Sequence, residues 1–279
     1  MIYTQRGDKV RLDKISTEPP KGVTKQSVQK RLDALGAELF ALQDSLWGAK
    51  THGVLVVLQG RDSAGKDGTI KHVAGCLNPR GVHVTSFGVP SAEESRHDFL
   101  WRVHRHAPGR GEFAIFNRSH YEDVLAVRVH GLAPKKLWKA RYGHIRDFEQ
   151  LLSEEGTIVL KYFLHISRKE QKERLLERER TPAAAWKLNA DDWRERDCWD
   201  DYTEAYEDAI SKTDAKHAPW TVVPADAKWY RNLVVAESIV ETLREYRKPW
   251  RRKLEEMGRK GRAAIADYRA ERDTRKKRR

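Results

Sequence analysis

The sequence predicts an α/β fold of three layers, in which a five-stranded parallel sheet lies between two layers of helices. The first observation is the alternation of short apolar runs with amphipathic segments, which is typical of successive βαβ units. The second is the unbroken apolar run at residues 54–58, rich in β-branched valine, which is the composition of a strand buried on both faces of a parallel sheet. The third is the stretch at residues 167–219, which has no strand signal and predicts a helical insertion.

The elements are expected in the following order. Residues 1–23 are polar and predict an extended N-terminal arm. Apolar residues at three- and four-residue steps predict an amphipathic helix over 24–47, ended by Gly48, which could pack on the sheet or contact another subunit. A capping box at Ser91–Glu94 predicts a helix to about His106. The remaining helices are expected at 67–77, 134–155 and 229–246, and the strands at 54–58, 83–87, 111–116, 157–166 and 220–223.

The insertion predicts two charged helices that meet at a break near Thr181 and Pro182. Ser167 can cap the first helix, and Asp191 or Asp192 can cap the second. An insertion at the carboxyl edge of a sheet is well placed to close over a ligand, so we expect residues 167–219 to form a helical lid.

Composition excludes several classes of protein. The chain has 279 residues, of which 39% are hydrophobic and nine are Trp, values that favour a globular protein over a disordered one. Its apolar runs are too short to span a membrane, and the charged N-terminus lacks a signal segment. Cys76 and Cys198 lie far apart without metal-ligand spacing, which indicates a reduced, cytoplasmic protein without structural zinc.

The net charge of +13 is concentrated at one end. Residues 247–279 contain 15 Lys and Arg but 5 Asp and Glu, and residues 1–246 carry a net charge of +3. We therefore divide the chain into the arm, a central folded domain at 24–246 and a basic tail at 247–279. Such a tail can bind polyanions, nucleic acid included, without sequence preference.

The segment Gly60–Lys66 fits the G-x-x-x-x-G-K pattern of a phosphate-binding loop (P-loop), and it follows the strand at 54–58 directly. The loop amides and the start of the next helix can face a phosphate, while Lys66 adds a positive charge. A glycine turn without a ligand is the alternative. The residues expected to bind phosphate here are Gly60, Ala64, Gly65, Lys66, Asp67 and Gly68.

Two carboxylates lie in or beside this loop. Asp67 occupies the position where a Ser or Thr hydroxyl usually meets magnesium, and Asp62 lies inside the loop. Carboxylates would repel phosphate unless cations lie between them, and hard oxygen ligands suit Mg²⁺. The loop therefore predicts a site for a metal-bridged polyanion.

A second polar cluster follows the third strand. Asn117 and Arg118 are expected at the carboxyl edge of the sheet, where open α/β folds bind ligands, although Arg118 could instead form a structural ion pair. Glu122 and Asp123 are candidate metal ligands. Because Glu122 also completes a capping box with Ser119, Asp123 is slightly favoured.

The predicted lid contributes further cations. Arg174 and Arg178 are four residues apart and share one helical face, with Lys187 and Arg194 beyond the break. They could hold a phosphate chain, or they could form a solvated face paired with nearby glutamates. His104 and His106 do not share a helical face, which disfavours a metal site. Trp101 or Trp186 could stack on a base.

Four segments resemble the family-2 polyphosphate kinases: VLVVLQGRDSAGKDGTI, HDFLWRVH, IFNRSHYEDV, and the pair APW and KWYRN. The resemblance covers about residues 24–246 and implies a thymidylate-kinase-like P-loop fold, oligomers, and phosphate transfer between inorganic polyphosphate and nucleotides with Mg²⁺ or Mn²⁺. It implies Gly65 and Lys66 on phosphates, Asp62 and Asp67 at metal-bridged groups, and Arg118 on a substrate phosphate. It also places Glu122 and Asp123 in an acidic motif, and Arg174 and Arg178 in the lid.

The leading hypothesis is therefore a cytoplasmic, magnesium-dependent enzyme that phosphorylates ADP or GDP, and AMP as a further candidate, from polyphosphate. Asp62, Lys66 and Arg118 are its expected catalytic residues. A nucleoside monophosphate kinase that uses ATP is the nearest alternative. A nucleic-acid-binding protein acting through the basic tail is an alternative from another class.

Overall fold

The structure is a computed structural model that describes residues 9–277, with the side chains of Ala183, Ala184 and Lys277 excepted. Its centre is one sheet of five parallel strands in the order β2-β3-β1-β4-β5. The predicted parallel sheet is confirmed, and each strand lies within two residues of its expected position. The strands are β1 (Gly53–Gly60), β2 (Val82–Ser86), β3 (Phe113–Asn117), β4 (Thr157–His165) and β5 (Trp220–Pro224).

Helices cover both faces of the sheet. On one face α1, α2 and α9 pack on β1 and β4, and on the other α5 and α8 do so, giving two apolar cores. The central strand β1 is buried along its whole length, as its apolar run predicts. The helices are α1 (Lys25–Ala49), α2 (Lys66–Ala74), α3 (Trp101–His104), α4 (Ala126–Val129), α5 (Lys135–Glu154), α6 (Arg168–Arg180), α7 (Ala190–Asp197), α8 (Trp199–Thr213) and α9 (Lys228–Lys277).

The apolar stripe of α1 is buried within the chain itself, where it packs against α9. Thr24 caps the helix through a reciprocal box with Ser27. The sequence predicts that the helix ends at residue 47, before Gly48, but it runs two residues further to Ala49, and Lys50 takes the left-handed conformation (φ 49°). Gly48 instead permits close packing, since a Cβ there would lie 2.8 Å from Leu254 of α9.

The helix expected from Ser91 to His106 is not continuous. Ser91 and Glu94 do form the predicted capping box, but the helical turn after it ends at Arg96. Asp98 then accepts hydrogen bonds from the next amides, and α3 begins at Trp101. The carboxylate of Asp98 competes with the helical backbone and so divides the segment in two.

The insertion between β4 and β5 holds three α-helices rather than the predicted two. Ser167 caps α6 as expected, whereas Asn189 caps α7 in place of Asp191 or Asp192. The third helix, α8, buries Ala205, Ala209 and Ile210 against the sheet and belongs to the body of the fold. Residues 168–197 are thus the part of the insertion that lies over the loop edge; we refer to them as the lid.

Both ends of the described chain differ from expectation. Val10 and Leu12 are buried, so residues 9–14 pack on the body; residues 1–8 of the predicted arm lie outside the described residues. At the other end α9 does not stop at residue 246 but continues through Pro249 to Lys277. Trp250 is fully buried, and this packing extends the helix past the proline. Within residues 9–277 no helix is both long and apolar enough to span a bilayer.

Candidate active site

The P-loop connects the end of β1 to the start of α2 and forms as the sequence predicts. Gly60 and Gly65 have positive φ angles of 157° and 102°, which permit the turn into the helix. The ammonium of Lys66 curls back into the loop and donates to the carbonyls of Gly60 (2.7 Å) and Arg61 (3.2 Å). Burial lowers the pKa of Lys66, although Asp62 partly offsets this effect.

Asp62 and Asp67 both line the cavity in front of the loop. Asp62 accepts a 2.6 Å hydrogen bond from Arg118 and lies 3.9 Å from the Lys66 ammonium. Burial opposes its ionisation, but these two cations hold the pKa of Asp62 below its ordinary value. Asp67 accepts from Asn117 (3.1 Å) and Lys187 (3.2 Å). Its pKa is also lowered, since Lys187 and Asn117 outweigh burial.

Arg118 follows β3 directly and lies opposite the P-loop. Its backbone takes the left-handed region (φ 61°), and its amide donates to Leu58 at the end of β1. This conformation is unfavourable for a residue with a Cβ and is characteristic of functional sites. The guanidinium contacts Asp62 and lies 3.5 Å from Glu122, and despite burial these carboxylates raise its pKa.

The structure separates the neighbouring acids Glu122 and Asp123. Glu122 lies beside Arg118 and Asp62 and lines a small secondary cavity with them. Asp123 turns away, accepting from Arg141 at 3.0 Å with Arg102 3.9 Å distant. Burial raises the pKa of both carboxyl groups. Two arginines distant in sequence hold Asp123 on the far side of the turn, so this geometry favours Glu122 over Asp123 as the metal-side residue.

Arg174 and Arg178 of the lid do lie on one side of α6, but they make different contacts. Arg174 is buried and donates to four carbonyls: those of Ser63 and Ala64 in the P-loop, and those of Ala225 and Asp226 after β5. It therefore supports the loop from behind. Arg178 lines the cavity and forms a 2.6 Å ion pair with Asp192 of α7.

The other lid and aromatic candidates also divide into residues that line the cavity and residues that do not. Lys187 lines the cavity, whereas Arg194 is exposed and pairs with Asp191 of its own helix. Trp186 lines the cavity with 79% of its surface exposed, whereas Trp101 stacks on His97 elsewhere. His104 and His106 pack against phenylalanines. Within the described residues, no group of three or more His, Cys, Asp or Glu is arranged to hold a metal ion.

Sequence reasoning missed three cations near the loop. Arg231, in the first turn of α9, lies against Gly65 so closely that a Cβ at that position would collide with its guanidinium. Burial and the proximity of Arg174 lower the pKa of Arg231 to about 10. Lys228 lines the same cavity. Arg61 stacks on Trp199 at 3.9 Å, and burial lowers its pKa to about 10. The KWYRN motif was the one signal that pointed to Arg231.

The cavity in front of the loop measures about 590 Å³. Among the described side chains, seven cationic groups and three carboxylates line it. An excess of this kind attracts a ligand with several negative charges. The cationic residues are Lys66, Arg118, Arg174, Arg178, Lys187, Lys228 and Arg231, and the acids are Asp62, Asp67 and Glu177.

Comparison with known proteins agrees with this geometry. The family model described as Polyphosphate kinase 2 (PPK2) matches residues 22–251. An AMP/ADP-polyphosphate phosphotransferase of Meiothermus ruber is 52% identical over 219 residues, which are 78% of this chain and 82% of that protein. An ADP-polyphosphate phosphotransferase of Rhodopseudomonas palustris is 43% identical over 250 residues, 85% of this chain and 86% of that one.

Among solved structures, polyphosphate kinase 2 from Arthrobacter aurescens TC1 superposes with a TM-score of 0.82 at 39% identity, covering 87% of this chain and 90% of that one. This likeness and the strand–loop–helix geometry at Lys66 agree with the predicted three-layer P-loop kinase fold. The family match spans most of the chain and includes every candidate site residue. The chain therefore belongs to the polyphosphate kinase 2 family.

Proposed function

We propose that this protein catalyses magnesium-dependent, reversible transfer of phosphate from inorganic polyphosphate to nucleoside diphosphates, ADP and GDP, with AMP as a further acceptor. Family membership gives phosphotransfer between polyphosphate and nucleotides, and the relatives described above are named for AMP and ADP. The observation that carries the proposal is the cation-rich cavity around Lys66. The exposed face of Trp186 could stack on either purine, because stacking does not distinguish bases.

The reaction requires positioning and charge neutralisation more than proton transfer. A terminal phosphate oxygen of the nucleotide attacks the terminal phosphorus of polyphosphate. A new P–O bond forms as the adjacent phosphoanhydride bond breaks, and the shortened chain leaves as an anion. Because the attacking oxygen is already anionic near pH 7, no general base is required. Lys66 and Arg118 would neutralise the charge that develops, and each contact could supply about 3–4 kcal/mol.

The carboxylates fit a divalent cation that is held partly by substrate. Mg²⁺ is commonly bound by one or two carboxylates together with phosphate oxygens, so a complete protein cage is not needed. Asp62 and Asp67, with Glu122 behind them, would hold it, and Mn²⁺ suits the same oxygen ligands. When bound, the ion would neutralise and align the phosphates of both substrates.

The remaining site residues have supporting roles in this proposal. The backbone amides of Gly60, Ala64, Gly65 and Gly68 would contact phosphate oxygens. Asn117 orients Asp67, and Arg174 fixes the loop through its carbonyls. Arg178 would contact the phosphate chain. We assign catalysis to residues 24–246, with the lid closing over the cavity.

Assembly and location are part of the same proposal. The family resemblance supports a homo-oligomer. Phe40 on α1 and Val84 on the edge strand β2 are about half exposed, so apolar surface is available for subunit contacts. Free Cys76 and Cys198 support a reducing, cytoplasmic environment.

The decisive assay incubates the full-length protein with Mg²⁺ and either ADP plus polyphosphate or AMP plus ATP. We expect rapid ATP formation in the first mixture and slow ADP formation in the second. Lys66→Ala should lower kcat by about 10² or more. Lys71→Ala, on the exposed end of the same helix, is the matched control. A folded Lys66→Ala protein with wild-type turnover would refute the site, and activity with ATP alone would favour a nucleoside monophosphate kinase.

A further inference from the structure

The last turns of α9 form a surface that does not pack against the body of the fold. The helix begins at the cavity, where Lys228 and Arg231 contribute side chains, and crosses the sheet face. Its last contacts with the body are made by Trp250 and Leu254. From Arg259 to Lys276 every residue is exposed. At 1.5 Å per residue, the segment after Leu254 extends about 35 Å from the body.

Charge is distributed unevenly around this projecting segment. Residues 251–277 contain 11 Lys and Arg and 5 Asp and Glu. At 100° per residue, six cationic side chains of residues 251–276 fall within an arc of about 120° together with two acids. We call this arc the basic face; its cations are Arg251, Arg252, Arg259, Arg262, Arg269 and Lys276.

The cations of the basic face are mostly available to a ligand. Within residues 9–277, Arg252, Arg262 and Arg269 make no ion pair, whereas Arg251 pairs with Glu255. On the opposite side of the helix Lys253 and Lys260 both form ion pairs with Glu256. The positive potential is therefore concentrated on one side of the helix. Charge that served only to keep the helix soluble would not need this one-sided distribution.

We propose that the basic face binds the distal part of a long polyphosphate chain and tethers it to the enzyme; this inference rests on the proposed function. A second contact on the same chain raises the effective concentration of its end at the cavity. The family match ends at residue 251, so every residue of the basic face except Arg251 lies beyond the part of the chain that the family shares. The same helix carries residues of the cavity and of the basic face, so one element links the two sites.

Polyphosphate fits this surface better than nucleic acid. Sites for single-stranded nucleic acid combine positive charge with aromatic side chains on which bases stack. Tyr268 is the single aromatic residue in 251–277, and it lies outside the basic face. A row of arginines without stacking partners suits a polyanion that has charge but no bases.

The distance between the cavity and the basic face makes the effect of the tether depend on the length of the polyphosphate chain. From Lys228 at the cavity to Arg251 the helix rises about 35 Å. A polyphosphate shorter than that cannot contact both sites, while one several times longer can. The tether should therefore improve the use of long chains and leave short chains unaffected.

The test compares two full-length variants that each lose four positive charges. The basic-face variant carries Arg252→Gln, Arg259→Gln, Arg262→Gln and Arg269→Gln. The matched control carries Lys253→Gln, Lys260→Gln, Arg272→Gln and Arg275→Gln, which lie off that face. Steady-state kinetics with ADP are measured for polyphosphate of extended length below about 30 Å and above about 150 Å, at several salt concentrations. Truncation after Met257, which keeps Leu254, is a third variant.

We expect the basic-face variant and the truncation to raise KM for the long chain about 10-fold or more, without changing kcat. KM for the short chain should change less than 2-fold. The slope of log KM against log salt for the long chain should fall by roughly 3, since each lost phosphate contact contributes about 0.7. The matched control should behave as wild type.

Three results would overturn the tether. Equal effects of the basic-face and control variants would show attraction by net charge alone. Loss of kcat on both chain lengths, with a changed sedimentation coefficient, would identify the segment as a subunit contact. Unchanged KM for the long chain together with weaker binding of an unrelated single-stranded RNA would identify a nucleic-acid surface. In each case the activity of the wild type with ADP and short polyphosphate tests the proposed function independently of the tether.

Discussion

At the scale of single residues, Arg231 distinguishes a site built for anions from one that is merely basic. Its side chain is 2% exposed, and the contacts that the structure gives it are to Asn232 and the carbonyl of Ala64. Arg174 lies close enough to lower its pKa further. Arg174 has Glu170 as its ion-pair partner, whereas within the described residues Arg231 forms no ion pair. A buried guanidinium without a carboxylate is costly in a folded protein, and an incoming phosphate would relieve that cost.

We predict that Arg231→Met lowers kcat/KM for polyphosphate by about 10- to 100-fold, since a hydrogen bond to a charged group contributes about 1.5–3 kcal/mol. The free protein should be as stable as wild type or more stable. Because the pKa of Arg231 is depressed by folding, keeping it charged at neutral pH costs folding free energy, and Met removes that cost.

Thermal unfolding and steady-state kinetics on the same preparations check this prediction. Arg247→Met, on an exposed turn of the same helix, is the matched control and should change neither property. Parallel loss of melting temperature and activity in Arg231→Met would instead indicate that the residue acts by supporting the fold.

At the scale of elements, helix α6 of the lid offers a direct comparison between an arginine that lines the cavity and one that does not. Arg178 lines the cavity, whereas Arg180 is exposed near the end of the helix. We predict that Arg178→Gln lowers kcat/KM about 10-fold or more, while Arg180→Gln changes it less than 2-fold. The measurement is initial rate against polyphosphate concentration at saturating ADP.

A further variant separates a phosphate contact from a structural ion pair within the lid. Asp192→Asn removes the partner of Arg178 but leaves its guanidinium free for phosphate. If Arg178 binds substrate, this variant keeps at least wild-type affinity for polyphosphate. If the ion pair itself is what matters, Asp192→Asn should be as impaired as Arg178→Gln.

Elements specified by local sequence were predictable, and those determined by distant contacts were not. The P-loop follows from adjacent residues, with an apolar strand leading into Gly60–Lys66, and it forms as expected. The direction of Glu122 and Asp123 depends on arginines elsewhere in the chain, which a single motif cannot show. Likewise the sequence predicts that the last helix ends at residue 246, but burial of Trp250 carries α9 past Pro249.

At the scale of the whole molecule, a buried polar network holds the layers together beneath the site. The ammonium of Lys161 on β4 donates to Glu149 of α5 (2.6 Å), to Tyr121 (2.9 Å) and to the carbonyl of Thr213 on α8 (2.8 Å). Tyr121 in turn donates to Glu149 and belongs to the turn that carries Glu122. The network therefore connects two helices and a strand to the turn beside the P-loop.

The ion pair in this network is inaccessible to solvent, so its loss should be expensive. Burial opposes the ionisation of Glu149, but Lys161 holds the pKa of this carboxyl group below its ordinary value. Burial also lowers the pKa of Lys161, and Glu149 opposes that effect. Lys161→Met leaves a buried carboxylate without its cation, and we predict that it costs about 3–5 kcal/mol of unfolding free energy. Adding Glu149→Gln removes the stranded charge and should recover part of that cost. Urea unfolding at pH 7 measures the unfolding free energy of both variants. If Lys161→Met lowers it by less than about 1 kcal/mol, water reaches Glu149 and the network does not hold the layers together.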